Sequence, residues 1–236
     1  MSITRLVVAG VRLSPGRMLI PAAAARHAKV ARVRPGEAVE VLNLTGDVGT
    51  ATLAAWERGA CWVEVTGVES GRGEPPAPLV LALAVLQSNA FDWAVEKATE
   101  LGATRVVPVI CERVQRGGHA RRVPRWRRIG EAAVAQCGRS LAPEIAEPEE
   151  LAAFVRHRAG MCYVADRGAE TPAPVEASAA GITALVGPEG GFTESERGEI
   201  DRAGFVRLPL GPRILRAETA AVVALTLAQS LAGWLR

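Results

Sequence analysis

"LVLALAVLQSNAFDWAVEKATELG", residues 79 to 102, decides how the chain is to be read. Its first eight residues are an unbroken apolar run, too short for a core helix and typical of a strand covered on both faces. Asn89 can then cap a helix through "FDWAVEKATEL", which Gly102 can end. The same rhythm continues to the C-terminus. "RVVPVI" reads as a strand, and "PRWRRIGEAAVAQC" as a helix with Pro124 in its first turn and Gly138 after its end. "PEELAAFVRHR" reads as a helix with acids in its first turn, and "MCYVAD" and "ITALVG" as buried strands. "TESE" (193–196) has the form of a capping box, with Thr193 as cap and Glu196 three residues on. "FVRLPL" and the closing "ETAAVVALTLAQSLAGWL" add one more strand and helix. Alternating strands and helices of this kind predict an open, mostly parallel α/β sheet.

Upstream the pattern is different. "AVEVLNLTG", "GTATLAAW" and "ACWVEVTGVES" are short alternating runs, and "PAAAARHAKVARV" is the one helical stretch among them. This predicts a small β-barrel able to hold RNA. "SGRGEPPAP" (70–78) is a linker, so the expected domains are 1–72 and 73–236.

The chain has 236 residues, nearly half of them apolar, which excludes a disordered protein. No apolar run reaches the ~18 residues of a membrane helix, and the first residues do not form a signal peptide, so a cytoplasmic protein without membrane association is expected. Cys61, Cys111, Cys137 and Cys162 are scattered and no Cys-x-x-Cys pair exists, so no metal site is expected and the thiols read as reduced and mostly buried. Net charge is +3, with Lys29 and Lys97 the only lysines. Residues 113–128, "RVQRGGHARRVPRWRR", carry seven arginines and no acid. A solvated loop is one explanation; a polyanion such as nucleic acid is the preferred one.

Two loops promise the chemistry. "GPEGGF" (187–192) follows a strand and precedes a helix, where open α/β sheets bind ligands. Its glycines let a ligand approach main chain, although a tight turn needs them as well. "LGPRILRAETA" (210–220) occupies the same kind of position and adds Arg213, Arg216, Glu218 and Thr219. Neither G-x-G-x-x-G nor a P-loop is present.

These loops resemble the signature loops of the SPOUT-class 16S rRNA uridine-N3 methyltransferases, the RsmE family. "EKATELGATRVVPVICERV" and "EAAVAQCGRSLAPEI" are similar to two further blocks of that family, in the same order. The resemblance spans roughly residues 79 to 236. Towards the N-terminus it is thinner: His27, Arg32 and Gly36 keep the pattern, while Leu6, Val7, Ala31 and Gln87 depart from it. It implies a C-terminal SPOUT-type sheet with a deep trefoil knot, an N-terminal PUA-like barrel, S-adenosylmethionine as cofactor and a homodimer. The implied substrate is one uridine of 16S rRNA, within the small ribosomal subunit.

The expected cofactor residues are Leu185, Val186, Gly187, Pro188, Glu189, Gly190, Gly191, Leu210, Gly211, Ile214, Leu215 and Thr219. Asp166 either borders the same pocket or serves only its turn. Methylating uridine N3 requires loss of its proton and stabilisation of charge on the flanking carbonyls. Arg216 is the candidate for the second task. Glu218 is the candidate acid nearby, unless it only satisfies the start of its helix. RNA contacts are expected from Arg113, Arg116, Arg121, Arg122 and Arg125 in the basic run, and from Arg5, Arg26, His27 and Arg32 in the barrel. A methyltransferase for another RNA such as tRNA, or a non-catalytic RNA-binding assembly factor, are the alternatives.

Overall fold

A computed structural model describes residues 3–114, 117–166 and 179–235. The chain divides into two compact units. One runs through Glu74 and takes back Glu131–Ala142; the other comprises Pro75–Gly130 and the chain from Pro143 onward.

The first unit is built on β1 (Thr4–Val7), β2 (Gly16–Ile20), α1 (Ala22–Val30), β3 (Ala38–Leu42), β4 (Asp47–Glu57) and β5 (Ala60–Ser70). The strands form one sheet in the order β1-β3-β4-β5-β2, in which only the β1–β3 pair is parallel. Alternation sets the faces. In β5, Cys61, Val63 and Val65 are buried beside Leu6, Ile20, Val39, Val41 and Leu53. The hairpin between β4 and β5 turns on Arg58 and Gly59, both at positive φ (45° and 88°), as a two-residue hairpin requires.

A carboxylate organises the edge of this unit. Glu40 accepts from Arg5 Nε at 2.9 Å and from Arg72 Nη1 and Nη2 at 2.6 and 3.0 Å. Arg5 Nη1 also donates to the carbonyls of Ala135 and Gln136, and Arg72 Nε to that of Gly138. The returning segment is held further by Glu74, which accepts the N–H groups of Ser140 and Leu141, and by Val134, buried among Leu42, Leu44 and Val48.

The second unit contains β6 (Leu79–Ala84), α2 (Ser88–Glu100), β7 (Arg105–Ile110), a 3-10 turn (His119–Arg122), the first part of α3 (Val123–Cys137), β8 (Glu144–Ile145), β9 (Glu149–Glu150), α4 (Leu151–Phe154), β10 (Met161–Asp166), β11 (Ile182–Val186), α5 (Glu194–Arg202), β12 (Val206–Pro209) and α6 (Ala217–Leu231). Its sheet is parallel throughout, in the order β12-β10-β11-β6-β7-β8, with β9 also pairing β7. Both faces are covered, which is why β6 reads as a continuous apolar run and β7, β10 and β11 as largely apolar ones. Leu79, Leu81 and Leu83 of β6 and Ile182, Ala184 and Val186 of β11 face one core, together with Phe91, Trp126 and the alanines of α6. Ala82, Ala84 and Leu185 face the other, with Phe154, Ile200 and Phe205.

Two helices differ from the sequence expectation. α2 begins at Ser88 behind Gln87, whose side chain makes no cap bond, so Asn89 lies inside the first turn. α4 is a single turn, because Glu149 and Glu150 pair with Val109 and Ile110 as β9 rather than opening a helix. The capping box of α5 is present in both arms.

In the first unit, the Arg72 guanidinium, with Arg5 beside it, holds the Glu40 carboxyl below its ordinary value. A lowered folded pKa stabilises above the unfolded value and is lost as pH falls through the folded one. Glu40→Gln should therefore lower unfolding free energy by about 2 kcal/mol at neutral pH. The gap to wild type should close on acidification below the ordinary carboxylate range, as read by urea denaturation.

Candidate functional site

The carboxyl ends of β6, β10, β11 and β12 share one edge of the parallel sheet, and the chain reverses its direction of travel across the sheet between β6 and β11. Such a switch point leaves a crevice outside the strand ends.

The loop after β11 is rigid for identifiable reasons. Gly191, at φ 68°, donates its N–H to the Pro188 carbonyl at 2.8 Å. A Cβ on Gly187 would lie 2.8 Å from the buried Phe192 ring, so only glycine fits there. Glu196 is 5% exposed; it accepts from Thr193 N at 2.7 Å and from Glu112 N at 2.8 Å. Arg113 Nη1 donates to the Gly190 carbonyl. The other loop leaves β12 beside Asp166, whose carbonyl takes the Leu210 N–H, and turns at Gly211 (φ 85°). Arg216 caps α6 through its carbonyl, which accepts the Ala220 N–H at 2.8 Å.

Between these loops lies a cavity of about 650 Å³. Val186, Leu210, Ile214 and Leu215 supply its apolar surface; Gly187, Pro188, Glu189, Gly190 and Gly191 supply main chain. Ile214 is 83% exposed, an isoleucine left uncovered by the protein. Asp166 also lines the cavity and accepts from Arg207 Nη1 at 2.6 Å, while Arg207 Nη2 holds Asp201.

A second cavity, about 1160 Å³, shares Pro188, Glu189 and Gly190 with the first. Arg216, Glu218 and Thr219 line it, with Leu86, Gln87, Asn89, Trp93, Arg113, His119 and Arg122. Glu218 is half-buried, and its Oε2 is buried with no hydrogen-bond partner.

Of the residues singled out in the two loops, Val186 to Gly191, Leu210, Ile214 and Leu215 therefore meet around the first cavity, and Thr219 joins Arg216 and Glu218 around the second. Leu185 is fully buried behind the loop, and Gly211 turns the backbone without lining either space. Arg26, His27, Arg32 and Arg121 are exposed. Arg5 is engaged on Glu40, and Arg125 pairs with Asp92 through Nε and Nη2. Arg116 lies outside the described residues. Trp93 and His119 on the second cavity, and Arg197, Asp201 and Arg207 on the first, are not among the residues the sequence singles out. Trp93 had a usable signal, since it lies on the first turns of the helix directly after β6 and so at the same sheet edge. Among the described residues no group of three or more His, Cys, Asp and Glu is placed to hold a metal, and no helix is long and apolar enough to cross a membrane. Cys61, Cys111 and Cys162 are buried free thiols, with Cys137 partly exposed.

Residues 73–229 match the RNA methyltransferase domain family. The ribosomal RNA small subunit methyltransferase E of Synechocystis is 32% identical over 230 residues, 94% of this chain and 75% of that protein. Among solved structures, the ribosomal RNA small subunit methyltransferase E of Neisseria gonorrhoeae, bound to S-adenosyl methionine, is 29% identical with a TM-score of 0.87, covering 98% of each chain. A putative methyltransferase of Legionella pneumophila, with bound cofactor S-adenosylmethionine, is 28% identical with a TM-score of 0.84 and covers 98% of each chain. With its signature loops, their sheet edge and these relatives in agreement, the chain belongs to the ribosomal RNA small subunit methyltransferase E family of RNA methyltransferases.

Proposed function

We propose that this protein transfers the methyl group of S-adenosylmethionine to N3 of a specific uridine in 16S rRNA of the small ribosomal subunit. The observation that carries the reading is the pair of cavities meeting at Pro188–Gly190, one suited to a flat, partly apolar cofactor and the other to a nucleobase.

The first cavity fits the cofactor. Its volume lies within the ~300–1,000 Å³ usual for small-molecule sites. Ile214, Leu215, Leu210 and Val186 form an apolar shelf for an adenine ring, and the glycines leave peptide groups of residues 187–191 within a ligand's reach. Glu189 and Asp166 are the carboxylates available to ribose hydroxyls or an amino group. S-adenosylmethionine, when bound, supplies an electrophilic methyl on a sulfonium.

The chain's own task is to prepare the nucleophile. Uridine N3 is protonated at neutral pH, and its lone pair becomes available as that proton leaves. Glu218, which lines the second cavity and has one buried, unpartnered carboxylate oxygen, accepts it. Arg216, exposed at the head of α6 beside Glu218, donates to the carbonyl oxygens onto which the charge spreads. Arg26, His27, Arg32 and Arg121 contact phosphates, which position RNA without reading its sequence. The same reading takes the five-stranded unit as a PUA-like RNA-binding barrel and the C-terminal strand crossings as a deep trefoil knot. It takes the working protein as a cytoplasmic homodimer.

The decisive experiment incubates protein and methyl-labelled S-adenosylmethionine with small subunits from a strain lacking the gene. Mass spectrometry of digested rRNA should show labelled 3-methyluridine. Labelling of tRNA alone would move the substrate elsewhere, and absence of donor binding would leave a non-catalytic RNA-binding protein. Ile214→Ala should weaken donor affinity about tenfold in a calorimetric titration, since burial of such a side chain contributes about 1.5–3 kcal/mol. It should leave unfolding unchanged, because Ile214 is 83% exposed. Glu218→Gln should lower kcat about 100-fold while donor affinity stays constant in the same titration.

A further inference from the structure

Arg122 stands apart from the other arginines of the basic run. Its guanidinium carbon lies 4.9 Å from the centroid of the Trp126 ring, and its Nη1 donates to the Leu86 carbonyl at 3.0 Å. Trp126 is itself immobilised: it is fully buried, packs on Phe91 with ring centroids 4.2 Å apart, and donates Nε1 to Asp92 at 3.1 Å. The stacked, tethered guanidinium is thus fixed in a way that a phosphate-gripping side chain on a solvated loop is not. Its remaining terminal nitrogen, Nη2, is buried and has no hydrogen-bond partner. Burial pushes the Arg122 pKa down, with Asp92 opposing the shift and Arg125 adding to it.

A buried donor on a charged group without an acceptor is costly, and a folded protein keeps one where something else supplies the acceptor. Arg122 lines the second cavity, and so does Glu218 with its unpartnered Oε2. One group lacks an acceptor and the other lacks a donor. Trp93, 40% exposed, lines the same cavity and is an aromatic ring of the kind on which bases stack. A uracil edge presents what is missing: a carbonyl oxygen next to an N–H.

We propose that Arg122 is a catalytic residue of this site, whose Nη2 donates to a carbonyl oxygen flanking uridine N3 while Glu218 takes the N3 proton. This rests on the reading of the second cavity as the acceptor pocket. The balance is simple. The N3 proton passes to the Glu218 carboxylate and then to water. The freed N3 pair forms the N–CH3 bond as the S–CH3 bond breaks, its electrons remaining on sulfur. Charge that builds on the uracil carbonyl meets a cation already desolvated and oriented for it.

The test compares full-length wild type with Arg122→Met, which keeps a side chain on Trp126 but removes every donor, and with Arg122→Lys, which restores a cation. Steady-state methylation of small subunits is followed across pH. Titrations of S-adenosylmethionine and of a target rRNA fragment, and thermal unfolding, run alongside. Arg122→Met should lose about 100-fold in kcat at neutral pH. Part of that loss should return as pH rises, because without the donor the N3 proton leaves at higher pH. Donor and RNA affinities should stay within about twofold, and Arg122→Lys should recover part of the rate. His119 lines the same cavity in all variants, so differences between profiles report position 122. Other results overturn the assignment. Loss confined to RNA affinity, with the salt slope reduced by about one, makes Arg122 a phosphate contact. An equal loss of kcat at every pH, with a lowered melting temperature, makes it a structural prop for Trp126. A wild type that binds donor yet methylates no uridine overturns the underlying reading and this proposal with it, whereas an active wild type beside an unimpaired Arg122→Met overturns the proposal alone.

Discussion

The buried carboxylate of Glu196 holds the site in shape. It closes the capping box on Thr193 and at the same time takes the Glu112 N–H, so one side chain ties the start of α5 to the loop that follows β7. Between those anchors the segment from Gly187 to Phe192 has little freedom left, and Arg113 takes a further carbonyl of it at Gly190. The loop therefore serves as a stiff partition, with a cavity on either side. Methyl transfer depends on holding two reactants in line and close together, and a partition that does not yield is how a protein holds that distance.

Polar satisfaction separates the two cavities. In the first, Asp166 and Asp201 are both engaged by Arg207. It also leaves an apolar side chain open, Ile214. In the second, buried polar atoms are left unanswered on Glu218 and Arg122. A surface that exposes grease suits an aromatic ring lying flat. A surface that leaves a donor and an acceptor unpaired suits an edge that carries both.

The strands were legible because they are covered on both faces: β6 is an unbroken apolar run, β7, β10 and β11 are largely apolar, and all four lie in the sheet over nearly the same residues. The two glycine loops could be found because strand-to-helix turns in a parallel sheet fall on one edge. Pairings that depend on distant partners could not be read. Glu149 and Glu150 look like the first turn of a helix, and only Val109 and Ile110, some forty residues earlier, make them a strand. The arginines show the same limit. A run of seven looks uniform in one dimension, yet in the fold Arg113 holds a loop carbonyl, Arg125 an aspartate, Arg122 a tryptophan face, and Arg121 stays in solvent.

The return of Glu131–Ala142 to the first unit bears on how the chain is made. The five strands are complete by Ser70, but Glu40 and Glu74 hold groups whose carbonyl and N–H partners lie between residues 135 and 141. On a ribosome, the N-terminal unit therefore leaves its edge open while more than fifty further residues are synthesised, and it closes only when the end of α3 emerges. The entropic cost of closing so long a loop grows only slowly with its length, so the wait is mainly one of time. The N-terminal sheet is an early-starting, late-finishing element, with the partners of Arg5, Arg72 and Glu74 supplied last.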